Sequence, residues 1–131
     1  MVEEFFNGQY EVKKFLGEGS FAEVYLVKHV FLDDLRAMKV IKQPLNENFD
    51  NKNVFNEVML ATQLRHQNII SIYDAGIISQ DSGINKAYFV MEYVPGGDLQ
   101  QYLNSFINSN LSLSVHRCLN LMKQILQGLN V

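Results

Sequence analysis

Leu16-Gly17-Glu18-Gly19-Ser20-Phe21-Ala22-Glu23-Val24 is the stretch on which the reading of this chain turns. Two glycines one residue apart let backbone N–H groups approach an anion with no Cβ in the way. The same pair also makes an ordinary hairpin turn. The residues after the glycines narrow the choice. Glu23 to Val30 is rich in β-branched and aromatic residues and reads as a strand. A dinucleotide-binding loop needs a helix at that point, and a Walker loop needs Gly-Lys-Ser/Thr, which occurs nowhere. A strand–glycine turn–strand flap remains, with Tyr10-Glu11-Val12 opening the strand before it and Val24 placed beneath any ring the flap covers.

Outward from the flap, Asp33-Asp34 marks a turn and Leu35 to Ile41 a third strand, which Pro44 cannot continue. From about Phe49 to Leu64 the period becomes helical, with Phe55, Val58, Met59 and Leu64 as the apolar positions. Strands return at Ile69–Ile78 and Ala87–Val94, joined by the turn-rich Ser79-Gln80-Asp81-Ser82-Gly83. Pro95-Gly96-Gly97 ends the strands. Asp98 is an N-cap for a short helix to about Asn104. Ser112 or Ser114 caps a longer helix whose stripe is Val115, Leu119, Met122, Ile125, Leu126 and Leu129.

The 131 residues fit one compact domain, and 47% hydrophobic against 19% charged residues is enough for a buried core. Net charge is −3 and the eleven basic residues are scattered, so nucleic acid is not an expected partner. No apolar run reaches the roughly 18 residues of a membrane span, and MVEEFFNGQY lacks the apolar core of a secretory signal. No membrane partner is expected. Cys118 is the only cysteine, which excludes an internal disulfide and fits a cytoplasmic setting.

Ala37-Met38-Lys39 is the second chemical candidate. Residues two apart share a strand face, so Ala37 offers a small floor beside the Lys39 ammonium. Lys39 could equally be an edge-strand lysine with its head in water. Glu57 lies on the expected helix between Val54/Phe55 and Val58/Met59, where it either turns inward to pair with Lys39 or stays solvated.

LGEGSFAEVYLV (16–27), AMKV (37–40), FNEVMLATQLRHQNIISIYDAG (55–76) and YFVMEYVPGGDLQQYL (88–103), in this order, resemble the protein kinases of the Ser/Thr type. The resemblance covers residues 10 to 131. It implies an α+β fold: a five-stranded antiparallel sheet plus one helix (N-lobe, 10–91), a hinge (92–98), and two helices of an incomplete C-lobe (99–131). It also implies ATP as cosubstrate, with Leu16, Gly17, Glu18, Gly19, Ser20, Phe21, Ala22 and Val24 in the phosphate-covering loop. Ala22 stands where the third glycine is usual, a small-for-small change expected to stiffen the loop. Lys39 matches the phosphate-binding lysine, with Ala37 beside it and Glu57 as its ion-pair partner. Met91 falls at the gatekeeper position, and the backbone of Glu92 to Val94 would bond the adenine edge. Asp98 is placed to bond a ribose hydroxyl, or else serves only as the helix cap; one carboxylate can also do both. Arg36 replaces a usual valine and is expected to point outward, and His66 is taken as structural.

The family's chemistry also needs a catalytic-loop aspartate, an asparagine and a metal-binding Asp-Phe-Gly. His116-Arg117-Cys118-Leu119 only imitates the catalytic loop. Cys118 cannot replace the aspartate, Lys123 takes the asparagine position, and no acid occurs after Asp98. Gln127-Gly128-Leu129-Asn130 resembles the end of the helix that precedes the true loop. The expectation is therefore a chain that stops before its catalytic residues. It would hold ATP weakly, without the ligands for Mg2+, and act on protein substrate only within an intact parent. The alternative is a non-catalytic kinase-like module that docks a partner.

Overall fold

The computed structural model describes the backbone of residues 5–6, 8–45, 51–79 and 83–130, and the side chains of these except 5, 6, 51–54 and 57. In chain order it runs β1 (Phe5–Phe6), β2 (Tyr10–Glu18), β3 (Ala22–His29), β4 (Leu35–Ile41), α1 (Asn51–Gln63), β5 (Ile72–Ser79), β6 (Asn85–Glu92), α2 (Leu99–Asn108) and α3 (Val115–Leu129). All strand pairs are antiparallel, in the order β1-β2-β3-β4-β6-β5. The five expected strands and the expected helices are present, and the two-residue β1 is an addition at one edge.

The backbone divides into two compact units, residues 1–65 with 70–93 and residues 66–69 with 94–131. In the first, register decides which side chains meet. Directly paired residues share a sheet face. Tyr25, Met38 and Val90 form one cross-strand row, and Val40 and Tyr88 belong to the next. With Tyr10 and Val27 these make the core on that face, and Tyr10, Val27, Met38 and Val90 are essentially sealed from water. Sealing each such apolar side chain contributes about 1.5–3 kcal/mol. On the other face Phe89 is buried, and the Phe55 ring of α1 meets it edge-on at 6.4 Å.

Several element ends differ from expectation for local reasons. β5 begins at Ile72, not Ile69, because the backbone before it is committed to a turn. Asn68 N–H donates to His66 Nδ1 (3.0 Å) and Ile69 N–H to His66 O (3.1 Å). β6 stops at Glu92. α2 runs on to Asn108, and along it Gln100 Nε2 donates to Asn104 Oδ1 at 3.0 Å and Ser105 Oγ to Tyr102 O at 2.6 Å. Residues 49–50 of the expected helix and 80–82 of the expected turn lie outside the described residues.

In the second unit Asp98 caps α2 through a reciprocal box. Gln101 N–H donates to Asp98 Oδ1 at 2.7 Å, and Asp98 N–H donates to Gln101 Oε1 at 2.9 Å. Ser114, not Ser112, caps α3 by accepting from Arg117 N–H at 3.2 Å. The 66–69 turn is anchored on α3 where Asn68 Nδ2 donates to Gln124 O at 2.8 Å. Gly128 is buried against Asn68 and Ile69 there.

Candidate functional site

The glycine stretch forms the turn between β2 and β3. The ladder closes at Glu18↔Glu23, and Gly19 N–H donates to Ala22 O at 2.9 Å, leaving a tight loop at 19–21 with Phe21 almost wholly exposed. A Cβ at Gly17 or Gly19 would meet nothing within 4 Å, so open space borders both backbones. Leu16 is the extra residue of a register irregularity between Phe15 and Gly17, partly exposed and unpaired in the ladder. Ser20 is exposed and Ala22 is buried as the first residue of β3.

Pairing sets which side chains share a sheet face. Gly17 pairs with Val24, Val24 with Lys39, and Lys39 with Phe89. The neighbouring row is Leu26, Ala37, Met91 and Ile72. Gly17, Val24, Ala37, Lys39 and Met91 therefore share one face, opposite the Met38–Val90 core. Ala37 is buried, Met91 half-buried and Lys39 exposed. No described carboxylate lies within ion-pair distance of Lys39. Glu57 lies in α1, and its side chain falls outside the described residues.

Glu18 pairs with Glu23, so both carboxylates belong to the core-side face, away from the Lys39 row. Each has a partner: Glu23 Oε2 accepts from Tyr25 OH, and Glu18 Oε2 meets Lys42 Nζ at 2.8 Å. Lys42 was not legible as a flap residue in the sequence. The one signal was a pair of glutamates flanking the turn, which calls for a cation.

Glu92 ends β6, and its N–H is committed to Ser71 O at 2.9 Å, so of its backbone only the carbonyl can serve a ligand. Val94 and Asp98 belong to the second unit; Val94 is half exposed, and Asp98 is exposed at the α2 cap. Arg36 corrects an expectation. It does not point into solvent: its Nε meets Asp34 Oδ2 at 3.2 Å, its guanidinium stacks over Tyr73 at 4.7 Å, and its side chain is 12% exposed. Pairing with Glu92 turns Arg36 to the core-side face, where an aromatic ring and an acid accept it.

Tyr10 OH donates to Asp74 Oδ2 at 3.1 Å on that same side. Burial first, and then the Asp74 carboxylate, push the Tyr10 phenol up to about 12. His116-Arg117-Cys118-Leu119 lies within the first turns of α3, as helix and not as a loop.

Compared with known proteins, the model of the protein kinase domain matches residues 10–131. The chain is 35% identical over 124 residues to the serine/threonine-protein kinase PrkC of Bacillus subtilis, covering 94% of this chain and 18% of that protein. It is 39% identical over 92 residues to CBL-interacting serine/threonine-protein kinase 15 of Arabidopsis thaliana (70% of this chain, 21% of that protein). It is 30% identical over 126 residues to the serine/threonine-protein kinase PksC of Streptomyces coelicolor (95% and 22%). The chain belongs to the protein kinase family, and these relatives are of the Ser/Thr class. It spans about a fifth of the length of the curated relatives it matches.

Proposed function

We propose that this chain is the ATP-cradling part of a Ser/Thr protein kinase, with residues 10–91 as N-lobe, 92–98 as hinge and 99–131 as the first C-lobe helices. The observation that carries the reading is the row Gly17–Val24–Lys39, which puts an exposed ammonium on the same face as an open glycine backbone. Adenine would lie between Val24 and Ala37 with Met91 at its back. The Glu92 carbonyl and the Val94 backbone would take its polar edge, Asp98 a ribose hydroxyl, and Lys39 with the amides of residues 17–22 the phosphates. Glu57 would hold Lys39 in place. When bound, ATP supplies the γ-phosphoryl group that the family passes to a protein hydroxyl.

The family's metal-binding Asp-Phe-Gly and catalytic-loop asparagine, the residues that would hold a divalent metal, do not occur in these 131 residues. No group of three or more His, Cys, Asp or Glu is arranged for a metal among the described residues, and no acid occurs after Asp98 in the sequence. Catalysis in this family is positioning plus charge stabilisation, and for the second task these residues supply Lys39 and the loop amides without the catalytic-loop and Asp-Phe-Gly aspartates. The chain by itself therefore holds ATP weakly and does not turn it over; protein phosphorylation belongs to the parent. The reading places the chain in the cytoplasm, and Cys118, a free thiol, suits a reducing compartment. No helix among the described residues is long and apolar enough to cross a membrane.

The test is titration of the purified chain with a fluorescent ATP analogue beside Lys39→Ala, and incubation with labelled ATP and a protein acceptor. Saturable binding lost in Lys39→Ala, with no label transferred, supports the reading. Binding indifferent to Lys39, or transfer above that control, overturns it. A non-catalytic docking module is the second reading, favoured by the exposed α3 stripe of Leu119, Met122, Leu126 and Leu129. Sequencing the transcript past the Val131 codon separates the two: a continuing frame with His-Arg-Asp favours the kinase, a stop codon the module.

A further inference from the structure

Lys42 lies just past the end of β4 and reaches two separate points of the flap. Its backbone N–H donates to Phe21 O at 2.8 Å, at the tip, and its Nζ meets Glu18 Oε2 at 2.8 Å, at the end of β2. Glu18 and Phe21 flank the glycine turn, and β3 lies between β2 and β4 in the sheet. Lys42 thus spans β3 and ties the β2 end and the tip of the turn to β4. The tie is made on the core-side face, because Glu18 pairs with Glu23 there while Gly17, Val24 and Lys39 share the other.

Glu18↔Glu23 sets two carboxylates directly opposite each other at the base of the flap, a pairing that by itself opens a hairpin end. Tyr25 OH engages one of them and Lys42 the other. Without Lys42, the Glu18 carboxylate is released beside a loop that the functional reading assigns to phosphate.

We propose that Lys42 is a positioning residue for the glycine flap, a strap that sets how closed the flap rests and keeps the Glu18 carboxylate on the face away from bound phosphate. The proposal rests on the nucleotide-binding reading for its consequence, though not for its geometry. Lys42 acts through Glu18 and touches no substrate. The pair is solvent-exposed, so its effect is modest. Loss of the strap is expected to weaken nucleotide binding by about two- to fivefold, the range for exposed ion pairs, and the effect shrinks at high salt.

The experiment is a double-mutant cycle on the full chain with Lys42→Ala, Glu18→Gln and the pair, read by fluorescent ATP-analogue affinity and by amide exchange over residues 19–23. The expected result is faster flap exchange and weaker binding in each single variant, no further loss in the double, and rescue by Lys42→Arg. Unchanged flap exchange in Lys42→Ala overturns the proposal. So does Glu18→Gln tightening the nucleotide while Lys42→Ala loosens it, which would mean that Lys42 acts on the phosphates by charge alone. If the unaltered chain binds no nucleotide, the functional reading fails, and the exchange measurements still decide whether the strap exists.

Discussion

Val24 and Lys39 stand directly opposite each other across β3 and β4, and Gly17 stands opposite Val24 on the far side. A one-residue slip of either strand would turn Lys39 into the core and expose Met38. The hydrophobic pattern resists that slip, since Met38 is fully buried and Lys39 exposed. The register that builds the core is therefore the register that aims the ammonium toward the flap's face.

Lys39→Ala should lower affinity for an ATP analogue by about ten- to a hundredfold, the usual worth of a hydrogen bond to a charged group. Because Lys39 is exposed, thermal stability should stay within about 0.5 kcal/mol of the unaltered chain. Calorimetry beside the binding titration checks both. A large drop in melting temperature would mean that Lys39 serves the fold.

Gly76→Ala should destabilise the sheet by roughly 1–3 kcal/mol. A Cβ there would lie 2.5 Å from the Tyr88 hydroxyl and 2.6 Å from its Cζ, and Tyr88 is buried in the core with little room to yield. Denaturant unfolding measures the loss. Substituting Tyr88→Phe in the same chain should recover only part of it, because the ring carbons remain too close.

Met38→Ala should cost about 2–5 kcal/mol, the cost of truncating a fully buried side chain. The chain's small core leaves little reserve, so this variant should lose cooperative unfolding at ordinary temperatures while Met59→Ala, on an exposed position of α1, should not.

Stability should fall at alkaline pH through Tyr10. Its folded pKa lies above the unfolded value of 10, at about 12, because burial and Asp74 disfavour the phenolate. The contribution is full below pH 10 and is lost as pH rises through 12. Absorbance titration should show a late-ionising component whose amplitude falls in Tyr10→Phe; a late component of unchanged amplitude in that variant would assign it elsewhere.

Asp98→Ala should weaken α2 by about 0.5–2 kcal/mol through loss of the capping box. Circular dichroism of the chain reports it. Asp98→Asn should keep most of the helix, since its side-chain oxygen can still accept from Gln101 N–H. If nucleotide affinity also falls in Asp98→Asn, the carboxylate serves the ribose as well as the helix.

Elements whose signal is local were readable from the residues alone: the glycine turn with a strand after it, the helical period around Phe55, the Asp98 cap, a serine cap for α3 narrowed to Ser112 or Ser114, and the four motifs in series. Strand and helix periods and turn chemistry act over a few residues, so they are written in the neighbourhood they shape. Tertiary structure alone decided that β6 inserts between β4 and β5, that Arg36 turns inward onto Tyr73, that Tyr10 reaches Asp74, and that Lys42 straps the flap. Those outcomes depend on register and on partners far apart in the chain, and two irregularities within β2 reset the facing of its residues. No local pattern encodes a contact whose second half is supplied by another strand.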